Sequence, residues 1–314
     1  MSEFEPIEIK AFYRSHTHLP VWEVIEKAGI WGRLGITASF DYCDSSSVAE
    51  AALFGGDVDF VSGNHISPYG LVAKGRPIVS LASPSNSVND KLVSRAPVKS
   101  LAELRGKRLA DTTVLDGGGG YNHIRGNHMI YLLRAGIRPD EVKWVEIADI
   151  MSEKFRDDQI EAVREGKADA GIATGGAEKF EKAGLHVLEL GRIPMVNGPT
   201  LTSTIPNLKR KDRLAERLVR ALVLGIHYAR SNPAETERIV AALRERVPES
   251  NASYNSVAKL LPKPYPDHRA IANAYELCCM KDPKAKELSP LALWDLHYLR
   301  ELDHSGFIDR LYGE

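Results

Sequence analysis

The chain has 314 residues, 43% of them hydrophobic and 26% charged, enough to bury a large core and to allow two domains or one bilobal unit. Its 41 basic and 42 acidic residues leave a net charge of -1, which excludes a nucleic-acid footprint; the short cluster at 209–213 is interrupted by Asp212 and reads as a solvated helix start. Three cysteines (Cys43, Cys278 and Cys279) form no disulfide framework and fit a reducing compartment. No apolar run approaches the length of a membrane span, and residues 1–6 lack the basic and apolar regions of a secretory signal, so a cytoplasmic location is expected.

In chain order, alternation over 7–13 predicts a first strand, and Pro20 opens a helix over 20–28. A strand over 36–42, a helix over 46–53, and strands over 58–61 and 78–82 follow. Ser100 and Glu103 have capping-box spacing for a short helix. A strand over 108–111 is expected to open the second lobe. Next come the glycines 117–120, a helix over 121–135, a strand over 142–147, a helix over 159–165, and strands over 168–173 and 187–190. The chain is then expected to cross back, with a strand over 201–205 and helices over 212–230, 233–246 and 267–279. Strands alternating with helices predict parallel sheets and an α/β fold.

Two stretches repeat one pattern. Gly56-Asp57-Val58-Asp59 and Gly166-Lys167-Ala168-Asp169 each follow a helix and precede a short apolar strand and a small polar loop. The repeat suggests two α/β lobes of similar build, with ligand beyond the carboxyl ends of the strands.

The chain resembles the type II periplasmic-binding-protein family, in the branch that holds nitrate-, sulfonate- and taurine-binding proteins and the thiamin-pyrimidine synthase. The resemblance rests on His18-Leu19-Pro20, the two Gly-x-x-Asp stretches, Gly75-Arg76-Pro77 and residues 100–108, within about 7–245. It implies a flytrap of two lobes joined by two crossover strands, with ligand held between them. The expected lobes are 1–106 with 200–314, and 107–199, with a helical C-terminal segment. The thiamin chemistry is not implied: Gly63 stands at the lysine position that takes pyridoxal phosphate, Ser67 at its downstream histidine, and the cysteine motif is missing. Cytoplasmic enzymes of the same fold include an aromatic desulfinase and dihydroxyphthalate decarboxylases. The desulfinase places a reactive cysteine after the first strand, where this chain has Ser15-His16-Thr17-His18.

In this fold His16, His18, His65, His123 and His128 fall in segments that line the cleft. The other five histidines (His186, His227, His268, His297 and His304) read as surface or packed residues. His16, His18, His65 and His123 suit general acid–base work or, if three or more converge, ligation of zinc, iron or manganese. His18 equally suits a structural bond that orients the first helix. Hydrogen bonding to a carboxylate or sulfonate is a third use of these rings. Asp116 and the glycines through Gly119 and Gly120 precede a helix whose free N–H groups form an anion site. Tyr121, His128 and Arg125 lie in or beside its first turns, and Arg125 and Arg14 can clamp a carboxylate or lie on the surface. Ser45 and Ser46 suit a helix cap that also touches ligand oxygen. Asn64, Thr174, Gly175 and Asn197 are further polar contacts, with 197–200 as a hinge. Tyr13, Trp22, Tyr69 and Tyr121 offer aromatic walls, although Trp22 suits the core better. Cys43 reads as an inert thiol.

The function expected from these residues is a lyase, decarboxylase-like, acting on a small, aromatic carboxylate; the alternative is a solute-binding protein for an organic anion, with a transporter permease as partner. The C-terminal helices from about 262 suit a cap on the first lobe or a homodimer contact.

Overall fold

The computed structural model describes residues 4–112, 123–147 and 155–313, with the backbone alone for His123, Phe155 and Arg156. Two compact units divide it: unit 1 comprises Met1–Asn86 and Val196–Glu314, and unit 2 comprises Ser87–Met195.

Unit 1 is built on a five-stranded sheet of order β2-β1-β3-β10-β4. Its strands are β1 (Ile7–Tyr13), β2 (Ile36–Tyr42), β3 (Phe60–Ser62), β4 (Ile78–Ala82) and β10 (Leu201–Thr204). β1 pairs in parallel with β2, Ile7 against Ile36 through Tyr13 against Tyr42, and with β3. β10 runs antiparallel to both its neighbours, so the sheet is mixed, not parallel throughout. Helices Leu19–Lys27, Leu214–Ser231 and Pro233–Arg246 cover one face. Their apolar stripes bury Val21, Ile25, Leu218, Leu222 and Leu243 against Ile9 and Ala11 of β1, the burial that drives the layer together. Trp22 lies fully inside this core, its ring 5.6 Å from Phe40 and edge-on to Phe60 at 5.5 Å. The opposite face packs Leu53, Val61, Tyr69, Cys278 and Leu293.

Unit 2 carries a second five-stranded sheet, order β7-β6-β8-β5-β9. Its strands are β5 (Ser85–Ser94), β6 (Arg108–Asp111), β7 (Lys143–Glu146), β8 (Ala170–Ala173) and β9 (His186–Asn197). β6 is parallel to β7 and β8, while β5 is antiparallel to β8. The chain passes between the units within β5 and within β9.

Several expectations need correction. β5 escapes a period-2 reading because its first half is polar (Ser85-Asn86-Ser87), so the second unit begins at Ser87 and not near 107. The capping box at Ser100 does not form: the Ser100 side chain makes no cap bond, and Glu103 accepts from the Lys99 N–H at 3.0 Å. The C-terminal segment, expected to cap the first lobe or to make a homodimer contact, belongs to unit 1. Trp294 bridges Ser80 on β4, and the Asp295 N–H donates to the Ser80 carbonyl at 3.0 Å.

The repeated Gly-x-x-Asp stretches occupy equivalent places in the two units. Gly56 and Gly166 sit at φ 78° and 75°, a conformation that favours glycine, and each ends its helix before the strand. The Asp59 carboxylate then accepts from the Lys10 N–H of β1 at 2.9 Å, and the Asp59 N–H donates to the Lys10 carbonyl at 2.7 Å. Asp169 does the same with Arg108 of β6, at 2.8 Å and 2.9 Å. Each aspartate thereby locks the start of its own strand in register with the neighbouring one, at Lys10 of β1 and Arg108 of β6.

Candidate functional site

The carboxyl ends of β1, β2 and β3 in unit 1 bring together three polar loops. Arg14 follows β1, and its N–H donates to the Ser62 carbonyl at 3.0 Å. Its guanidinium donates to the Cys43 carbonyl at 2.9 Å and to Ser46 Oγ at 2.8 Å. This bidentate use of a planar cation fixes the loop after β1 against the loop after β2. Ser45 caps the helix Ser46–Gly55 by accepting from the Val48 N–H, and its hydroxyl also bonds that of Ser47. Cys43 Sγ donates to the Ser45 carbonyl at 3.4 Å, with no base set against it among the contacts of the described residues.

His16 and His18 diverge, although two-residue spacing along an extended segment would have kept them together. Residues 16–18 form a short 3-10 turn. His18 is buried, with Nδ1 3.0 Å from the Ser62 carbonyl. The half-buried His16 ring stacks on Tyr42 at 4.2 Å, with Tyr13 5.6 Å away. Burial, reinforced by Asp44, pushes the Tyr42 hydroxyl up to about 12; burial and Asp41 raise that of Tyr13.

The loop after β3 takes a tight path. Gly63 (φ 108°) and Asn64 (φ 63°) are both left-handed, and a Cβ on Gly63 would press on His18 and Arg14. Asn64 Nδ2 and Ser67 Oγ both donate to Glu50 Oε1, at 3.1 Å and 2.6 Å, and Ser67 Oγ also lies 3.0 Å from Asn64 Oδ1. His65 is buried within this loop. The Gly63 N–H donates to the carbonyl of buried Thr200, which ties the loop to the segment after Asn197. Tyr69 is wholly buried, donates to the Pro290 carbonyl and accepts from Trp294, so it is a core residue and not an aromatic wall.

In unit 2, His128 and Asp111 form a fully buried pair, Nδ1 to Oδ2 at 2.9 Å. Burial opposes charge on the imidazole, but the Asp111 carboxylate, its hydrogen bond and nearby Asp90 outweigh this and raise the His128 pKa. Arg125 is buried over the Trp144 ring at 4.8 Å and donates to Glu146 at 3.4 Å. Exposed Thr174 donates to Asp90 at 2.7 Å, and Gly175 beside it is exposed. Asp116, Gly119, Gly120 and Tyr121, together with the His123 side chain, lie outside the described residues.

Among the described residues no three His, Cys, Asp or Glu side chains converge as metal ligands. No described helix is long and apolar enough to cross a membrane. Glu50 was not foreseen: it lies inside a helix, where a glutamate ordinarily signals only a solvated face.

A family model described as NMT1/THI5 like matches residues 39–236. The chain belongs to this family. Solved structures share the fold of this NMT1/THI5-like chain along nearly its whole length. A putative periplasmic sulfonate-binding protein SsuA from Methylobacillus flagellatus is 15% identical, covering 96% of this chain and 97% of its own, with a TM-score of 0.64. The aliphatic sulphonate binding protein SsuA from Escherichia coli is also 15% identical, covering 88% and 87%, with a TM-score of 0.59. The desulfurization enzyme DSZB is 14% identical, covering 95% and 99%, with a TM-score of 0.58. At these identities what is shared is the fold, the type II periplasmic-binding-protein architecture that the sequence resembles. No curated protein sequence matches the chain.

Proposed function

We propose that this protein binds a small organic anion of the sulfonate or carboxylate class without transforming it, in the manner of a transporter's solute-binding component. The observation that carries the reading is Arg14, a cation held rigidly at the strand ends of unit 1 amid the hydroxyls of Ser45, Ser46 and Ser47. Fixed donors of this kind hold an oxyanion without having to be ordered on binding. Two of the similar structures are named as sulfonate-binding proteins, and this supports binding over the lyase expectation. Lyase chemistry needs an activated group within reach of substrate. Here Cys43 faces a backbone carbonyl and His128 is buried against Asp111.

Titration calorimetry against alkanesulfonates, nitrate and aromatic carboxylates tests the proposal. Saturable one-to-one binding with no product by mass spectrometry is the expected result; turnover of any carboxylate or sulfinate overturns it. Elemental analysis for zinc, iron and manganese tests separately whether His16, His18, His65 and His123 hold a metal.

A further inference from the structure

We infer that Glu50 is the positioning residue of the loop 62–67, which adjoins Arg14 of the proposed anion site, acting through its geometry and in spite of its charge. The inference rests on the anion-binding reading for its functional half. The loop 62–67 is held from two sides. On one side His18 meets the Ser62 carbonyl and the Arg14 N–H donates to the same oxygen. On the other side stands Glu50, projecting from the helix that Ser45 caps and Arg14 tethers at Ser46. One oxygen, Oε1, accepts from Asn64 Nδ2 and from Ser67 Oγ, so a single atom spans the turn.

The turn needs that support. Asn64 is one of three non-glycine residues at positive φ among the described residues, and Gly63 before it is also left-handed. Such backbone persists only where its surroundings over-determine it. Asn64 is 7% exposed and His65 9%, so a relaxed turn would move buried groups.

A carboxylate beside a proposed anion site is otherwise a liability, since like charges repel. Its retention is explained if the acceptor oxygen matters more than the charge. The two contributions are separable. Glu50→Gln keeps an acceptor oxygen where Oε1 stands and removes the charge; Glu50→Ala removes both.

The experiment uses the full chain and two readouts. In hydrogen exchange of residues 62–67, Glu50→Ala is expected to raise exchange about tenfold or more, while Glu50→Gln stays near wild type; such a change corresponds to loss of a charge-assisted bond. In calorimetry with the tightest anion from the panel, Glu50→Ala is expected to bind about tenfold more weakly, and Glu50→Gln as well as or better than wild type. Unchanged exchange in Glu50→Ala, or weakened binding in Glu50→Gln with unchanged exchange, overturns the positioning role. If wild type binds no anion of the panel, the anion-binding reading fails, while the exchange comparison still decides whether Glu50 holds the loop.

Discussion

Asp59 and Asp169 make the same backbone bonds in two different settings, and replacing each by alanine turns that difference into a measurement. The Asp59 side chain is 3% exposed and bonds the Lys10 N–H, Lys211 at 2.8 Å and Arg210 at 3.2 Å. Asp59→Ala strands the Lys10 N–H, at about 1–3 kcal/mol. It also removes two ion pairs whose cations reach solvent, each worth up to about 1 kcal/mol after screening. The expected loss is about 2–4 kcal/mol from unit 1. The Asp169 side chain is 33% exposed and its partner Arg108 42% exposed, so water replaces much of what is removed. Asp169→Ala is expected to cost about 1–2 kcal/mol, from unit 2. Urea denaturation followed by tryptophan fluorescence, compared with and without Trp144→Phe in each background, separates the units, because Trp22, Trp31 and Trp294 belong to unit 1 and Trp144 to unit 2. An Asp169→Ala loss equal to or greater than that of Asp59→Ala would refute the assignment of burial as the source of the clamp's strength.

Three further outcomes follow from the same geometry. Because the folded-state pKa of His128 is raised, its contribution is fully present below the unfolded value of about 6.5 and is lost as pH rises through the folded value. The Trp144-reported midpoint should therefore fall from pH 6 to pH 9 in wild type, and the fall should shrink in His128→Gln. Arg14→Ala should weaken anion binding about tenfold or more, with the far-UV circular dichroism unchanged; wild-type affinity in this variant removes Arg14 from the site. Burial pushes the Cys278 thiol up to about 11, so iodoacetamide at pH 8 should label it only in urea, and rapid labelling of the folded protein would contradict the packing.

Much of the fold is legible in the residues. The alternation in β1 and β2, Pro233 opening its helix, and the paired Gly-x-x-Asp stretches each impose a local geometry that tertiary packing then keeps. β5 is not legible in the same way: its polar first half shows no alternation, and only Leu92 and Val93 near its end are apolar and fully buried. The direction of β10 escapes for another reason, since pairing with β3 and β4 is a long-range property that strand–helix alternation does not encode. At the site, loops after strands point to Arg14, Ser46 and Asn64. The divergence of His16 from His18 depends on a three-residue turn, and the use of Glu50 depends on a loop folding back onto a helix.

The placement of β10 between β3 and β4 constrains how the protein is made. Residues 83–200 must be synthesised before that strand exists, a delay on the order of ten seconds at ordinary translation rates. Unit 2 is continuous in sequence and can complete its sheet during that interval, apart from the last residues of β9. The nascent first unit meanwhile holds β3 with an open edge and β4, the apolar run Ile-Val-Ser-Leu-Ala, with no neighbour on that side. Such a strand is a template for intermolecular pairing. Slow elongation or a truncation before Leu201 therefore exposes this chain to aggregation through β4, and holdase chaperones that cover extended apolar segments should raise its yield of folded protein.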